Sequence, residues 1–329
     1  MKRQRTVGLD GDGGSSRLAS GSAHLPWAEP FLACVQDASH MPTVLLELIW
    51  CYCAFAGVLL REWPLKGTKT AGRSRICVAA DNLVYVVYVM GRPEDRVQVF
   101  TGDGQFVREW GRAGELAADA AVSTTKERGP PQATVWVADY WNDRVQGFTP
   151  TGQFAQEWPG LTKPCALAWN AHHRLLHVAD AQGLHSFSAT NRCAHSWPAG
   201  PASTQEAIFR EGSDVYIEAL AVGRDGRLYA TVSNTIEVFD VAPDGRLEFL
   251  REITLDHEPA ALAMDSDGLV YTADDQTHRI VVSTPDGTVV RAWGDTNGHL
   301  LISGPFSLAF GPSDGLLYVT DSTHVRVYA

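Results

Sequence analysis

Three stretches of this 329-residue chain have the residue types and spacing of chemical sites. Gly311-Pro312-Ser313-Asp314-Gly315 fits G-x-S-x-G, the turn that presents a nucleophilic serine between a strand and a helix. Asp265-Ser266-Asp267-Gly268 opens like a calcium loop, in which alternating carboxylates converge on a hard cation. His172, His173, His177, His185 and His195 crowd together, and clustered imidazoles can ligate a transition metal. Context removes each of them. Ser313 is followed by LLYVTD, a strand, so its turn is a hairpin and not a strand-to-helix elbow. The calcium-like stretch has no later ligands and no terminal Glu. His177 fills the position held elsewhere by Trp136, Tyr229, Tyr271 and Tyr318, which is an aromatic packing slot, and His185 and His195 fall on different strands. No catalytic residue, metal ligand or cofactor site is therefore assigned, and a non-catalytic chain is expected.

The elements that would position such residues are set by a repeat. A phrase ending in Trp recurs as VLLREW (58–63), QFVREW (105–110), QFAQEW (153–158), CAHSW (193–197) and TVVRAW (288–293). LEFLREI (247–253) carries Ile253 in the Trp slot. Trp63, Trp110, Trp158, Trp197 and Trp293 thus occupy one structural position, where a large side chain covers apolar area between units or at their rim. Each full unit has four apolar segments, a to d, separated by polar breaks. In the second unit these are 117–125, Thr134 to Tyr140, Arg144 to Phe148 and Gln153 to Trp158. Alternation of apolar and polar residues predicts antiparallel strands. Asp-Gly pairs at 103–104, 225–226, 244–245, 267–268, 286–287 and 314–315 supply the positive φ that tight hairpins need.

Four strands in 40 to 50 residues is the period of a β-propeller blade, so an all-β fold is predicted. The final segment c, VRVYA (325–329), has no d after it, and the first repeat strand is a lone d ending at Trp63. Pairing the two closes the ring, removes two sheet edges and predicts six blades. IWCYCAFAG (49–57) also resembles a strand and its turn, so an extra strand and a seventh blade stand as the alternative. Residues 1–40, basic and then Gly- and Ser-rich, are expected to be a disordered tail. Apolar spacing over 41–53 predicts a short amphipathic helix, leaving 54–329 for the propeller. The apolar run 43–60 is marginal for a membrane span and Glu47 interrupts it, so no membrane partner is expected.

The b-to-c junctions carry a finer pattern. VWVADYWNDRVQGF (135–148) resembles the NHL repeat at Asp139, Asn142 and Arg144, and VYTADDQTHRIVVS (270–283) resembles it at Asp274, His278 and Arg279. Other copies depart: the first keeps Arg96 without the early Asp, and the third keeps Asp180 without the Arg. The resemblance covers about 55–329 and implies the same propeller. Asp139, Arg144, Asp274 and Arg279 read as structural, with the acid accepting from the turn and the Arg reaching back across the hairpin. The resemblance also opens other functions. Some propellers with such repeats are lyases or hydrolases with a central metal, which needs ligands converging from the inner strands; ICVAA, AVSTT, CALAW, ALAVG, ALAMD and SLAFG offer almost none. Others serve ubiquitin ligases, yet no RING fits the first 50 residues, so only a substrate-recognition role stands there. Still others bind RNA on a basic face.

The net charge is −11, and the repeats are themselves acidic, which disfavours a phosphate backbone. Six scattered Cys without a C-x-x-C pair favour a reducing, intracellular, cytoplasmic setting. The expected function is a monomeric scaffold that binds a protein or peptide. Antiparallel blades put b–c and d–a loops at one end, and such loops carry function while strands scaffold them. The expected partner face is Arg92, Tyr140, Trp141, Asn142, His257, Asp275, His299 and His324, with the adjacent aromatics Tyr140 and Trp141 as the anchor.

Overall fold

The computed structural model describes residues 59–65, 73–89, 96–111, 119–125, 132–188, 193–198, 217–294, 304–321 and 323–329. The expected tail (1–40), helix (41–53) and extra strand (48–53), as well as Arg92, His299 and the side chain of Trp197, lie outside the described residues. The described residues form a six-bladed β-propeller. The strand β1 (Leu59–Pro64) precedes the first complete blade, which is β2 (Arg73–Val78), β3 (Val84–Val89), β4 (Val97–Phe100) and β5 (Phe106–Trp110). The second is β6 (Asp119–Thr125), β7 (Gln132–Asp139), β8 (Arg144–Phe148) and β9 (Phe154–Pro159). The third is β10 (Ala166–Asn170), β11 (Leu175–Asp180), β12 (Gly183–Ser188) and β13 (Cys193–Pro198). The fourth is β14 (Ile217–Val222), β15 (Leu228–Val232), β16 (Thr235–Val241) and β17 (Leu247–Thr254). The fifth is β18 (Ala261–Met264), β19 (Val270–Asp274), β20 (Arg279–Ser283) and β21 (Val289–Gly294). The sixth is β22 (Ser307–Phe310), β23 (Leu317–Thr320) and β24 (His324–Tyr328), completed by β1 in the order β1-β24-β23-β22.

Ring closure therefore follows the expectation from sequence. Glu62 stands opposite Arg326 and Trp63 opposite Val325 in antiparallel register, and Arg326 Nε donates to Glu62 at 3.0 Å. The core is distributed and not central. Six apolar clusters form, each shared by two neighbouring blades, as when Val135, Val137 and Phe148 pack on Tyr85, Val97 and Val99. Strands with apolar residues on both faces suit this arrangement, because every blade is covered on each side by another.

The Trp slot is an inter-blade latch. Trp110 meets Tyr85 of its own blade at 6.1 Å and Phe148 of the next at 6.3 Å, ring centre to ring centre. Trp63 repeats this with Tyr318 and Phe100, and Trp293 with Tyr271 and Tyr328. Three latch side chains also lie on the glycine of the c–d turn of the following blade. A Cβ on Gly152 would fall 2.6 Å from Trp110 Cδ2, one on Gly104 would fall 2.7 Å from Trp63 Cε3, and one on Gly287 would fall 2.7 Å from Ile253. These glycines thus serve two needs, a φ near +90° and the close approach of the neighbouring latch.

Candidate functional site

At the end of the blades where b–c and d–a connections lie, the second blade presents a rigid aromatic loop. Asp139 closes β7 and is fully buried. It accepts from Asn142 Nδ2 at 2.8 Å and from Arg144 Nε at 2.8 Å, and Arg144 Nη1 reaches Glu157 at 2.8 Å. Tyr140–Asn142 is one 3-10 turn, stopped by Asp143 in the left-handed region (φ 54). Asp143 in turn accepts the Lys163 N–H at 2.8 Å, and Lys163 Nζ lies over the Tyr140 ring at 5.9 Å. On this platform Trp141 is 69% exposed, edge-on to Tyr140 with centres 5.0 Å apart. A large aromatic held in water by a pinned loop keeps low conformational freedom, so little more is lost when a partner covers it.

The same pinning recurs with an acid at the end of b and a base five residues on. Asp274 meets Arg279 at 3.0 Å, and Asp321 meets Arg326. In the third blade His185 takes the place of Arg, with Nε2 2.8 Å from Asp180 and Nδ1 2.9 Å from Ser196. In the first blade Arg96, lacking the acid, pairs with Glu109 at 3.5 Å and lies over Tyr88.

Asp274 couples its loop to pH. Burial pushes the Asp274 carboxyl up, but the Thr277 hydroxyl and N–H together with Arg279 outweigh it, so its pKa is held below the ordinary carboxylate value. A carboxyl depressed on folding contributes stability above its unfolded pKa of about 4, and that contribution is lost as pH falls through the folded value. The stability gap between wild type and Asp274→Asn should therefore narrow from pH 7 to pH 3, measured as urea midpoints; a gap that stays constant or widens contradicts the coupling.

The other expected face residues are dispersed. Asn142 is exposed, while Tyr140, Asp275 and His324 are half-buried. His257 is 8% exposed and acts as an internal tie, Nδ1 to Asp256 at 2.7 Å and Nε2 to Thr272 at 2.9 Å. His177 sits in the aromatic slot with Nδ1 2.9 Å from Ser186, and burial followed by His173 pushes its pKa down to about 3. Burial raises the Cys77 thiol and pushes Cys165 up to about 12, which removes both as nucleophiles at neutral pH.

The central channel, expected from its inner strands to be lined by small apolar residues, also carries Arg75, Asp119 and Glu218. All six inner strands line a cavity of about 60 Å³ there. Arg75 of β2 is 8% exposed and crosses it. Its Nη1 donates to the Ala260 and Phe306 carbonyls at 2.8 and 2.7 Å, and Nη2 donates to the Glu218 carbonyl at 3.3 Å. The Glu218 carboxylate stands 3.8 Å away. The accepting residues lie at or just before the starts of β14, β18 and β22, so Arg75 stoppers the channel at the b–c end. The opposite mouth opens into a cavity of about 590 Å³ at the a–b turns. Among the described residues no group of three or more His, Cys, Asp or Glu is placed to hold a metal, and no helix is long and apolar enough to cross a membrane.

No family model matches the chain, and no curated protein matches it. Solved structures share its fold. A selenomethionine-substituted virginiamycin B lyase from Staphylococcus aureus is 11% identical, with TM-score 0.53 over 82% of this chain and 98% of that one. A streptogramin B lyase is 14% identical, with TM-score 0.53 over 81% and 96%. A catalytically inactive variant of the Staphylococcus aureus enzyme with quinupristin is 12% identical, with TM-score 0.54 over 79% and 82%. At these identities the likeness is one of fold.

Proposed function

We propose that this propeller is a scaffold that binds a protein or peptide partner at its b–c face, with Trp141 as the anchor. The observation that carries the proposal is the exposure of Trp141 on a loop fixed by Asp139, Asn142, Arg144 and Lys163. The Asp-to-Arg spacing also supports assigning these repeats to the NHL type, whose members include partner-recognition propellers.

Trp141→Ala should leave folding intact, because the ring touches little beyond Tyr140. A central interface Trp is worth about 2 kcal/mol or more, roughly a thirtyfold change in affinity. Quantitative capture with full-length wild-type and Trp141→Ala baits should therefore show one set of partners depleted from the variant at an unchanged melting temperature. Identical recovery of every partner would remove Trp141 as the anchor.

A second reading, a metal-dependent lyase or hydrolase working at the channel, is favoured by the likeness to the streptogramin B lyases. Loss of intact quinupristin on incubation with the chain and a divalent ion would support it. The stoppered channel and the commitment of Arg75 to three carbonyls favour the scaffold.

A further inference from the structure

The register of the inner strands shows what builds the a–b mouth. Cys77, Ala168, Ala221, Ala263 and Ala309 stand opposite the aromatic-slot residues Tyr85, His177, Tyr229, Tyr271 and Tyr318. The next residue along each strand is its last, except in β10, where Asn170 follows. In the third to sixth blades that residue is Trp169, Val222, Met264 and Phe310, and all four line the cavity of about 590 Å³. Solvent-facing strand ends usually turn polar; here those of the fourth to sixth blades are apolar, and the third carries Trp169 one residue before its end. The Phe310 ring is fixed edge-on to Tyr271 at 4.9 Å, and Trp169 packs into the cluster between the second and third blades.

The rim is polar and most of it is committed. Asn170 is fully buried, donates to the Gly226 carbonyl at 2.9 Å and accepts the N–H groups of His172 and His173. The Asp265 carboxylate accepts from Asp267 and Leu269 at 2.9 Å each, which fixes it to its own turn. Arg224 spends one guanidinium nitrogen on the Ser266 carbonyl at 3.2 Å, bridging the fourth blade to the fifth. Its guanidinium, with N–H donors left over, is the positive group of the rim.

We infer that this mouth is a binding site for a small amphiphilic anion: a flat apolar body seated on Trp169, Met264 and Phe310, with its acid group on Arg224. The volume falls within the range of ligand pockets, about 300–1,000 Å³. An apolar floor with few fixed polar groups is what such pockets have, and one guanidinium with unspent donors selects an anion over a neutral ligand. The site is on the face opposite Trp141 and is independent of the partner face.

The test uses the full chain and two dyes, the anionic 8-anilinonaphthalene-1-sulfonate and its uncharged counterpart N-phenyl-1-naphthylamine. The sulfonate should bind saturably with one-to-one stoichiometry. Arg224→Gln should weaken the sulfonate about tenfold, the loss of one charged hydrogen bond, and leave the neutral dye unchanged. Met264→Glu should weaken both. Trp141→Ala should change neither, which keeps this result separate from that of the partner face. Circular dichroism checks that each variant is folded. Non-saturating sulfonate binding, or equal affinity in wild type and folded Arg224→Gln, overturns the inference.

Discussion

Trp158→Ala should cost about 3–5 kcal/mol, the range for emptying a buried aromatic site. Trp158 is 1% exposed and lies between two rings: Trp136 of its own blade at 4.3 Å, and Phe187 of the next, stacked at 4.9 Å. Among the described residues no other latch ring sits as close to both neighbours. Its removal opens the interface between the second and third blades, where β9 is already the outermost strand and has no further strand to close over the gap. In a chain of this size the loss corresponds to a fall in melting temperature of about 5 °C. Trp141→Ala is the control, since an exposed residue away from core and caps usually changes stability by within about 0.5 kcal/mol. A Trp158 variant within about 1 kcal/mol of wild type would show that the latch is filler and not a fastening.

Removing residues 1–64 should abolish cooperative unfolding, while removing 1–38 should leave the melt unchanged. The first truncation deletes β1, exposes the edge of β24 and strips the Trp63 contacts with Phe100 and Tyr318. It also removes the Glu62 partner of Arg326. Two interfaces fail at once, because β1 both completes the sixth blade and latches onto the first. Equal melting temperatures for the two truncations would contradict closure by β1.

The ring was legible because its information is local and repeated. The Trp slot falls at one place in unit after unit, and glycine turns and the acid-to-base spacing recur in several of them, so a departure such as Ile253 reads as a copy. The Arg role of His185 was hidden by the change of residue type, although its five-residue distance from Asp180 was available. The channel's stopper and its mouth were illegible for a different reason. Arg75 bonds to backbone carbonyls 143 to 231 residues away, and a carbonyl leaves no trace in residue type. Trp169 and Phe310 looked like ordinary ends of apolar strands; only the placement of four such ends around one axis makes a collar. His257 stood out as a loop histidine, whereas its burial depends on Thr272 of the neighbouring strand.

The position of β1 has a consequence for the order of events in the cell. Glu62 and its partner Arg326 are 264 residues apart. At translation rates of about 5–20 residues per second, β1 waits on the order of tens of seconds before β24 leaves the ribosome. Throughout that interval β1 has no strand to pair with, although Trp63 can already pack on Phe100 of the first blade, while the intervening blades stack one after another. β1 thus stays without its partner strand until β24 is made, and unpaired strands invite pairing with other chains. A chaperone that holds the leading segment until the last blade emerges would act on the step where this ring is most exposed to failure.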